Sequence, residues 1–302
     1  MTTCDVLTLR GVCKRFGDRE VLRGLDLSVP AGSIFGFVGK NGAGKTTTMK
    51  AILGLLRIDC GEILVSGERV CYGETPTNRH IGYLPDVPEF YGFMSPREYL
   101  SLCGESMGMA KREIAARSDA LLSLVGLADD GHRIGGFSRG MKQRLGIAQA
   151  LLARPKLLIC DEPTSALDPV GRREILDLLA SVRRETTVLF STHILTDVER
   201  IATDLAFLDG GSIVLSGTVD QIKRAHSLKE FVVETLEPCV AERLLSAFDG
   251  VRPIDATTLA FAGDEARMLS VLGFLAKEQL PVRRVECAEP SLETLFMEVV
   301  KK

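Results

Sequence analysis

Eight consecutive residues, GKNGAGKT from Gly39 to Thr46, have the types and spacing to hold a polyphosphate. Gly39, Gly42 and Gly44 let the backbone wrap an anion without side-chain clashes. The loop's amide N–H groups and the dipole of a following helix attract negative charge. Lys45 can reach the terminal phosphates, and the Thr46 hydroxyl can ligate Mg²⁺. Lys40, Asn41 and Ala43 complete the loop, and Thr47 follows it. A glycine-rich turn with a chance lysine would lack the right flanks. Here strand-like IFGFV precedes the loop and helix-like TTMKAILGLL follows it.

Two carboxylates close an apolar run, LLICDEP, at Asp161 and Glu162. At the carboxyl end of a parallel strand such a pair faces the usual ligand crevice. Asp161 is placed to hold Mg²⁺ through water, and Glu162 to orient or deprotonate an attacking water. In isolation two acids at a strand exit would be ordinary solvated groups. His193 ends another apolar run, VLFSTH, where an imidazole could contact the γ-phosphate and position the water. A second anion device stands in FSRGMKQRL, residues 137–145, where Ser138, Arg139 and Gly140 precede an amphipathic helix. One chain with one nucleotide needs an explanation for two such devices.

The elements that must carry these residues alternate. Residues 5–38 read as short β segments, and 61–84 return to strand character. From Ser95 to Val125 the pattern is helical, with Ser95-Pro96-Arg97-Glu98 as a capped start. Helix, strand, helix and strand then follow to about Ile222. This order predicts an α/β fold with a mostly parallel sheet covered by helices. The early β segments and the helical block at about 90–140 are attachments to it. The charged stretch KRAHSLKE, 223–230, reads as a linker. It divides a main domain, 1–222, from a small α/β accessory domain, 223–302.

The chain has 302 residues, enough for two domains. A net charge of −3 disfavours a nucleic-acid partner. The eight cysteines, among them Cys4, Cys13, Cys60, Cys71 and Cys160, include no Cys-x-x-Cys pair. They are expected to be reduced thiols acting as small buried hydrophobes, in a cytosolic compartment. The N-terminus lacks the pattern of a signal peptide, and no window is long enough to span a bilayer. Any work at a membrane would need another chain to cross it.

The motifs GKNGAGKTT, FSRGMKQRL, LLICDEP, SALD and STH together resemble the ATP-binding cassette (ABC) ATPases. The resemblance covers roughly residues 5–220. It implies a P-loop core sheet, an antiparallel β subdomain, a helical subdomain and hydrolysis of ATP with Mg²⁺. It also implies that two copies pair head to tail, each nucleotide lying between the phosphate loop of one and the signature helix of the other. Ser138 and Gly140 would then face the nucleotide held by the partner's Lys45, which accounts for the second anion device. Phe16 matches the aromatic that stacks on adenine, and Asp168 the loop that meets the opposite cassette. Two motifs depart from the family's pattern. The signature, usually Leu-Ser-Gly-Gly-Gln, reads Phe137-Ser138-Arg139-Gly140-Met141. Asp86, in GYLPD, stands where many members carry Gln; it can still meet Mg²⁺ or its water, but only as an acceptor.

One cassette, no long heptad array and mild acidity favour a stand-alone subunit beside a separate multi-spanning permease, peripheral on the cytoplasmic face of the membrane. The segments IGYLPDVPEFYGFMSPREYL and FSRGMKQRL, with the closing EPSLETLFMEVV, are similar to exporter subunits of the bacitracin- and daunorubicin-resistance kind. The resemblance implies export of an antibiotic, drug, peptide or lipid. The alternative is a soluble ATP-driven clamp acting on a cytosolic protein.

Overall fold

The computed structural model describes residues 5–73, 76–127, 131–225, 230–288, 292–293 and 295–296. It divides into two compact units, Met1–Val219 and Asp220–Lys302.

The first unit opens with a hairpin, β1 (Asp5–Phe16) and β2 (Arg19–Pro30). Then come β3 (Ile34–Gly39), α1 (Lys45–Ile52), β4 (Cys60–Val65), β5 (Glu68–Arg69) and β6 (Ile81–Leu84). The helices α2 (Pro96–Ser106), α3 (Lys111–Leu124) and α4 (Arg139–Leu151) form the middle of the unit. Alternation resumes with β7 (Leu157–Cys160), α5 (Pro169–Val182), β8 (Thr187–Thr192), α6 (Leu195–Ile201), β9 (Asp204–Asp209) and β10 (Ser212–Thr218). Helix α7 (Val219–Ala225) starts at the division between the units.

Six strands form the main sheet in the order β10-β9-β3-β8-β7-β6. All neighbours pair in parallel except β10 with β9. The strands β3, β7 and β8 are buried throughout, as expected of parallel strands covered on both faces. A second, antiparallel sheet runs β2-β1-β4-β5. Leu7, Leu9 and Val12 of β1 and Leu25, Leu27 and Val29 of β2 join Phe35, Phe37, Met49, Ile52, Leu157 and Leu189 in one core. This core anchors the hairpin, and with it Phe16, to the strands that carry the phosphate loop. Ser95 caps α2: its hydroxyl accepts from the Glu98 amide at 3.3 Å, and Glu98 accepts from the Ser95 amide at 2.8 Å.

The second unit holds β11 (Glu230–Thr235), α8 (Pro238–Ala247), β12 (Val251–Pro253), β13 (Thr258–Ala262), α9 (Glu265–Lys277) and β14 (Val282–Ala288). Its antiparallel sheet, β12-β13-β11-β14, has its own core. Phe231 and Phe261 stack there at 5.4 Å, beside Val240 and Leu244 of α8 and Val271 and Leu275 of α9.

Three expectations need amending. The helix after the phosphate loop ends at Ile52 instead of running through Leu56, because Gly54 takes φ 67 and turns the chain. The charged stretch at 223–230 begins inside α7; residues 226–229 lie outside the described residues, as do 289–291 of the closing phrase. The cysteines are not uniformly reduced and buried. The antiparallel register sets Cys13 of β1 opposite Cys60 of β4, and the two are joined in a disulfide with their Cα atoms 5.1 Å apart. Cys71, Cys239 and Cys287 are exposed, Cys103 is half-buried and Cys160 is buried; Cys4 lies outside the described residues. Burial pushes the Cys160 thiol well above its ordinary pKa.

Candidate functional site: a nucleotide cleft

Four adjacent parallel strands, β3, β8, β7 and β6, release their carboxyl ends along one edge of the main sheet. Lys45 follows β3, His193 follows β8, Asp161 and Glu162 follow β7, and Asp86 follows β6. Residues far apart in sequence therefore converge because the strand order brings them together.

The phosphate loop turns through Gly42 at φ 81 and Gly44 at φ 114. At Gly44 a Cβ would lie 2.9 Å from Leu22 Cδ2, so only glycine fits the turn. Lys45 is 6% exposed; its Nζ donates to the Gly39 carbonyl at 2.6 Å and the Lys40 carbonyl at 3.3 Å. The same Nζ lies 3.0 Å from Glu162 Oε1. On the other side of Glu162, His193 Nδ1 lies 2.9 Å from Oε2. An ionised carboxylate only accepts, so Nδ1 carries the proton of that bond. Glu162 thus sits between a buried ammonium and an imidazole.

Its backbone is held in a conformation that an L residue rarely takes, φ 47. Ser191 supplies the restraint. Its hydroxyl accepts from the Glu162 amide at 2.9 Å and donates to Asp161 Oδ1 at 2.7 Å. The following loop is pinned by buried Asp197, which accepts from Thr164 at 2.7 Å and from Arg172 at 2.6 Å. Beneath the site, burial and then the Asp161 charge push the Tyr83 phenol up to about 12.

Asp86 is tied to two other elements. Its Oδ1 accepts from Ser165 at 2.6 Å and from Arg139 at 3.3 Å, while Gln143 of α4 donates to its backbone carbonyl at 2.9 Å.

These groups border an open cleft of about 700 Å³. Phe16, Asn41, Gly42, Gly44, Lys45, Thr46, Thr47, Asp86, Glu162 and His193 line it. Phe16 stands half exposed at the rim, with Lys14 Nζ 5.3 Å from its ring centroid. Gly39, Lys40 and Ala43 belong to the loop behind the lining, and Asp161 is buried beneath it. Ser138, Gly140 and Asp168 do not line the cleft. Ser138 is exposed and caps α4, accepting from the Met141 amide at 3.2 Å; Asp168 caps α5, accepting from Gly171 at 3.2 Å. Within one chain the two anion devices are separate. Motif reading missed Arg19 and Ser165, which also line the cleft, and Ser191 and Gln143 behind it. Ser191 lies only two residues before His193, but nothing local signals that it faces Asp161.

The donor chemistry suits magnesium. Among the described residues no three or more His, Cys, Asp or Glu gather as a metal cage. Magnesium is commonly held by one or two carboxylates together with substrate phosphates. Thr46, Asp86 and Asp161 offer hard oxygens of that kind.

Comparison with known proteins agrees with the geometry. The family described as ABC transporter matches residues 22–165, and the DrrA1-3-like ATP-binding protein C-terminal domain matches residues 217–300. The uncharacterized ABC transporter ATP-binding protein YxlF of Bacillus subtilis is 37% identical over 98% of this chain and 99% of its own. The daunorubicin/doxorubicin resistance ATP-binding protein DrrA of Streptomyces peucetius is 33% identical over 95% of this chain and 90% of its own. The bacitracin transport ATP-binding protein BcrA of Bacillus licheniformis is 36% identical over 73% of this chain and 72% of its own. A solved ATP-binding subunit of an ABC transporter superposes with a TM-score of 0.65 at 32% identity, covering 73% of this chain and 92% of that one. The chain therefore belongs to the ATP-binding subunits of ABC transporters, a family that hydrolyses ATP.

Proposed function

We propose that this subunit binds ATP with magnesium in the cleft of residues 1–222 and drives export of an antibiotic, drug, peptide or lipid through a separate membrane permease. The observation that carries the ATP half is the Lys45–Glu162–His193 constellation, held at the carboxyl ends of adjacent parallel strands. The export half rests on similarity to the bacitracin and daunorubicin proteins and on the accessory domain, residues 223–302.

Each side chain has a task in this reading. Phe16 stacks on the base. The loop amides from Asn41 to Thr47 and the Lys45 ammonium bind the phosphates. Thr46, Asp86 and Asp161 hold magnesium, which when bound neutralises phosphate charge. Glu162 orients the attacking water and accepts its proton at a carboxylate oxygen, and His193 holds Glu162 and the terminal phosphate in register. Ser138, Gly140 and Asp168, which do not line their own chain's cleft, serve the nucleotide of a second copy in a head-to-tail dimer. Closure of that dimer moves the permease, and hydrolysis reopens it. Among the described residues no helix is long and apolar enough to cross a membrane.

Affinity capture from native membranes tests the reading, using Glu162→Gln with MgATP to hold the closed state. A multi-spanning protein recovered in comparable amount supports it. A cytosolic protein recovered in its place transfers the ATPase to a soluble clamp.

A further inference from the structure

The Cys13–Cys60 bond lies at the end of β1, three residues before the aromatic at the rim of the nucleotide cleft. The same end of β1 is fastened to the same end of β4 by other means. The Asp59 amide donates to the Cys13 carbonyl at 2.9 Å, and Asp59 accepts from the Arg15 amide at 2.7 Å and from Lys14 Nζ at 3.0 Å. Lys14 is also the cation over the Phe16 ring. The disulfide therefore closes a short mechanical path from β4 to Phe16.

The bond is accessible. Cys60 is exposed and opens on a surface cleft of about 390 Å³ that Cys71 also lines. Asp59 and Glu62 on this cleft are paired with Lys14 and Arg10, which do not line it. Arg57 and Arg69, also on the lining, balance the two carboxylates there. A small disulfide can reach the exposed Cys60 sulfur through this opening. In cells where glutathione keeps thiols reduced, such bonds are usually transient and redox-sensing.

We propose that Cys13 and Cys60 form a reversible thiol–disulfide exchange site, reached by a small disulfide through this cleft, whose oxidised state fixes Phe16 and tightens nucleotide binding. The second part rests on the reading of the main cleft as the ATP site. In the forward direction the Cys60 thiolate attacks one sulfur of the small disulfide. A mixed disulfide forms, the old S–S bond breaks and one small thiolate leaves. The Cys13 thiolate then attacks the Cys60 sulfur, forming the Cys13–Cys60 bond and expelling the second thiolate. The protein pair loses two electrons, the small disulfide gains them, and the two cysteine protons end on the released thiols.

The test uses the full chain, oxidised with glutathione disulfide or reduced with dithiothreitol, then alkylated and mapped by mass spectrometry. The affinity of trinitrophenyl-ATP is measured on each form. The proposal expects a 13–60 linkage that reduction removes, and roughly two- to tenfold tighter nucleotide binding when oxidised, the effect of fixing one side chain in advance. Cys13→Ser and Cys60→Ser should bind like the reduced protein in both buffers, while Cys71→Ser should keep the response. Free thiols at 13 and 60 after oxidation, a linkage from Cys60 to Cys71, or equal affinities in the two forms would each overturn it. Failure to bind the nucleotide in either form would instead strike the ATP reading and the coupling to affinity, with the thiol map still deciding the exchange site.

Discussion

Arg139 and Asp86, one from each of the two motifs in which this chain departs from the pattern of its family, meet: Arg139 Nη2 lies 3.3 Å from Asp86 Oδ1. Both side chains are more than a third exposed, so solvent screens the pair and its worth is small. Gln143, buried one turn along α4 from Arg139, makes the firmer tie to the Asp86 carbonyl. The start of the signature helix and the edge of the nucleotide cleft are thus linked within one chain, by one exposed and one partly buried contact. A double-mutant cycle on Arg139→Leu and Asp86→Asn, read by urea denaturation, should return a coupling of at most about 1 kcal/mol that shrinks in salt. Gln143→Ala should cost about 1 kcal/mol, the net worth of one hydrogen bond, because the partly buried Asp86 carbonyl loses its donor. A coupling well above the first range would mean that Arg139 and Asp86 are desolvated in solution.

Lys45→Ala removes the cation that faces Glu162 and the loop carbonyls. Equilibrium binding of ATP should weaken about tenfold to a hundredfold, the worth of charged hydrogen bonds to phosphate. Unchanged affinity would remove Lys45 from the phosphate site.

Ser191→Ala strips the partner of both Asp161 Oδ1 and the Glu162 amide, at a residue with no exposed surface. Because Ser191 positions the acids and does not line the cleft, kcat for ATP hydrolysis should fall while KM changes little. The folded state should lose about 1–3 kcal/mol. A rise in KM at constant kcat would contradict a positioning role.

Phe16→Ala should weaken ATP binding by roughly two- to tenfold, the range of one aromatic contact, and leave kcat nearly unchanged. A titration with guanosine and adenosine triphosphates would show both weakened alike if the ring stacks without reading the base. Loss of kcat at constant affinity would place Phe16 elsewhere in the mechanism.

The site was legible in the sequence where its chemistry is local. Glycine spacing between a strand and a helix identifies the phosphate loop, and an apolar run ending in two acids identifies Asp161 and Glu162. The alternation of strands and helices likewise announces the parallel sheet. What stayed hidden depends on strand order. Ser165 meets Asp86 across 79 positions and Ser191 meets Asp161 across 30, with no local pattern in either case. The same holds for Cys13 and Cys60, whose 47-residue separation is closed only by the β1–β4 register. The helix after the phosphate loop was read too long because apolar periodicity runs past Gly54, whose positive φ ends it.

In the proposed dimer the phosphate loop of one copy and the Ser138 signature of another share a nucleotide. Analytical ultracentrifugation of Glu162→Gln, with and without MgATP, tests it most directly. The variant should sediment as a monomer that becomes a dimer on adding MgATP. Adding Ser138→Arg should abolish the dimer while ATP still binds each monomer. A Glu162→Gln protein that binds MgATP and remains monomeric, or a Ser138→Arg variant that loses ATP binding itself, would contradict the shared site.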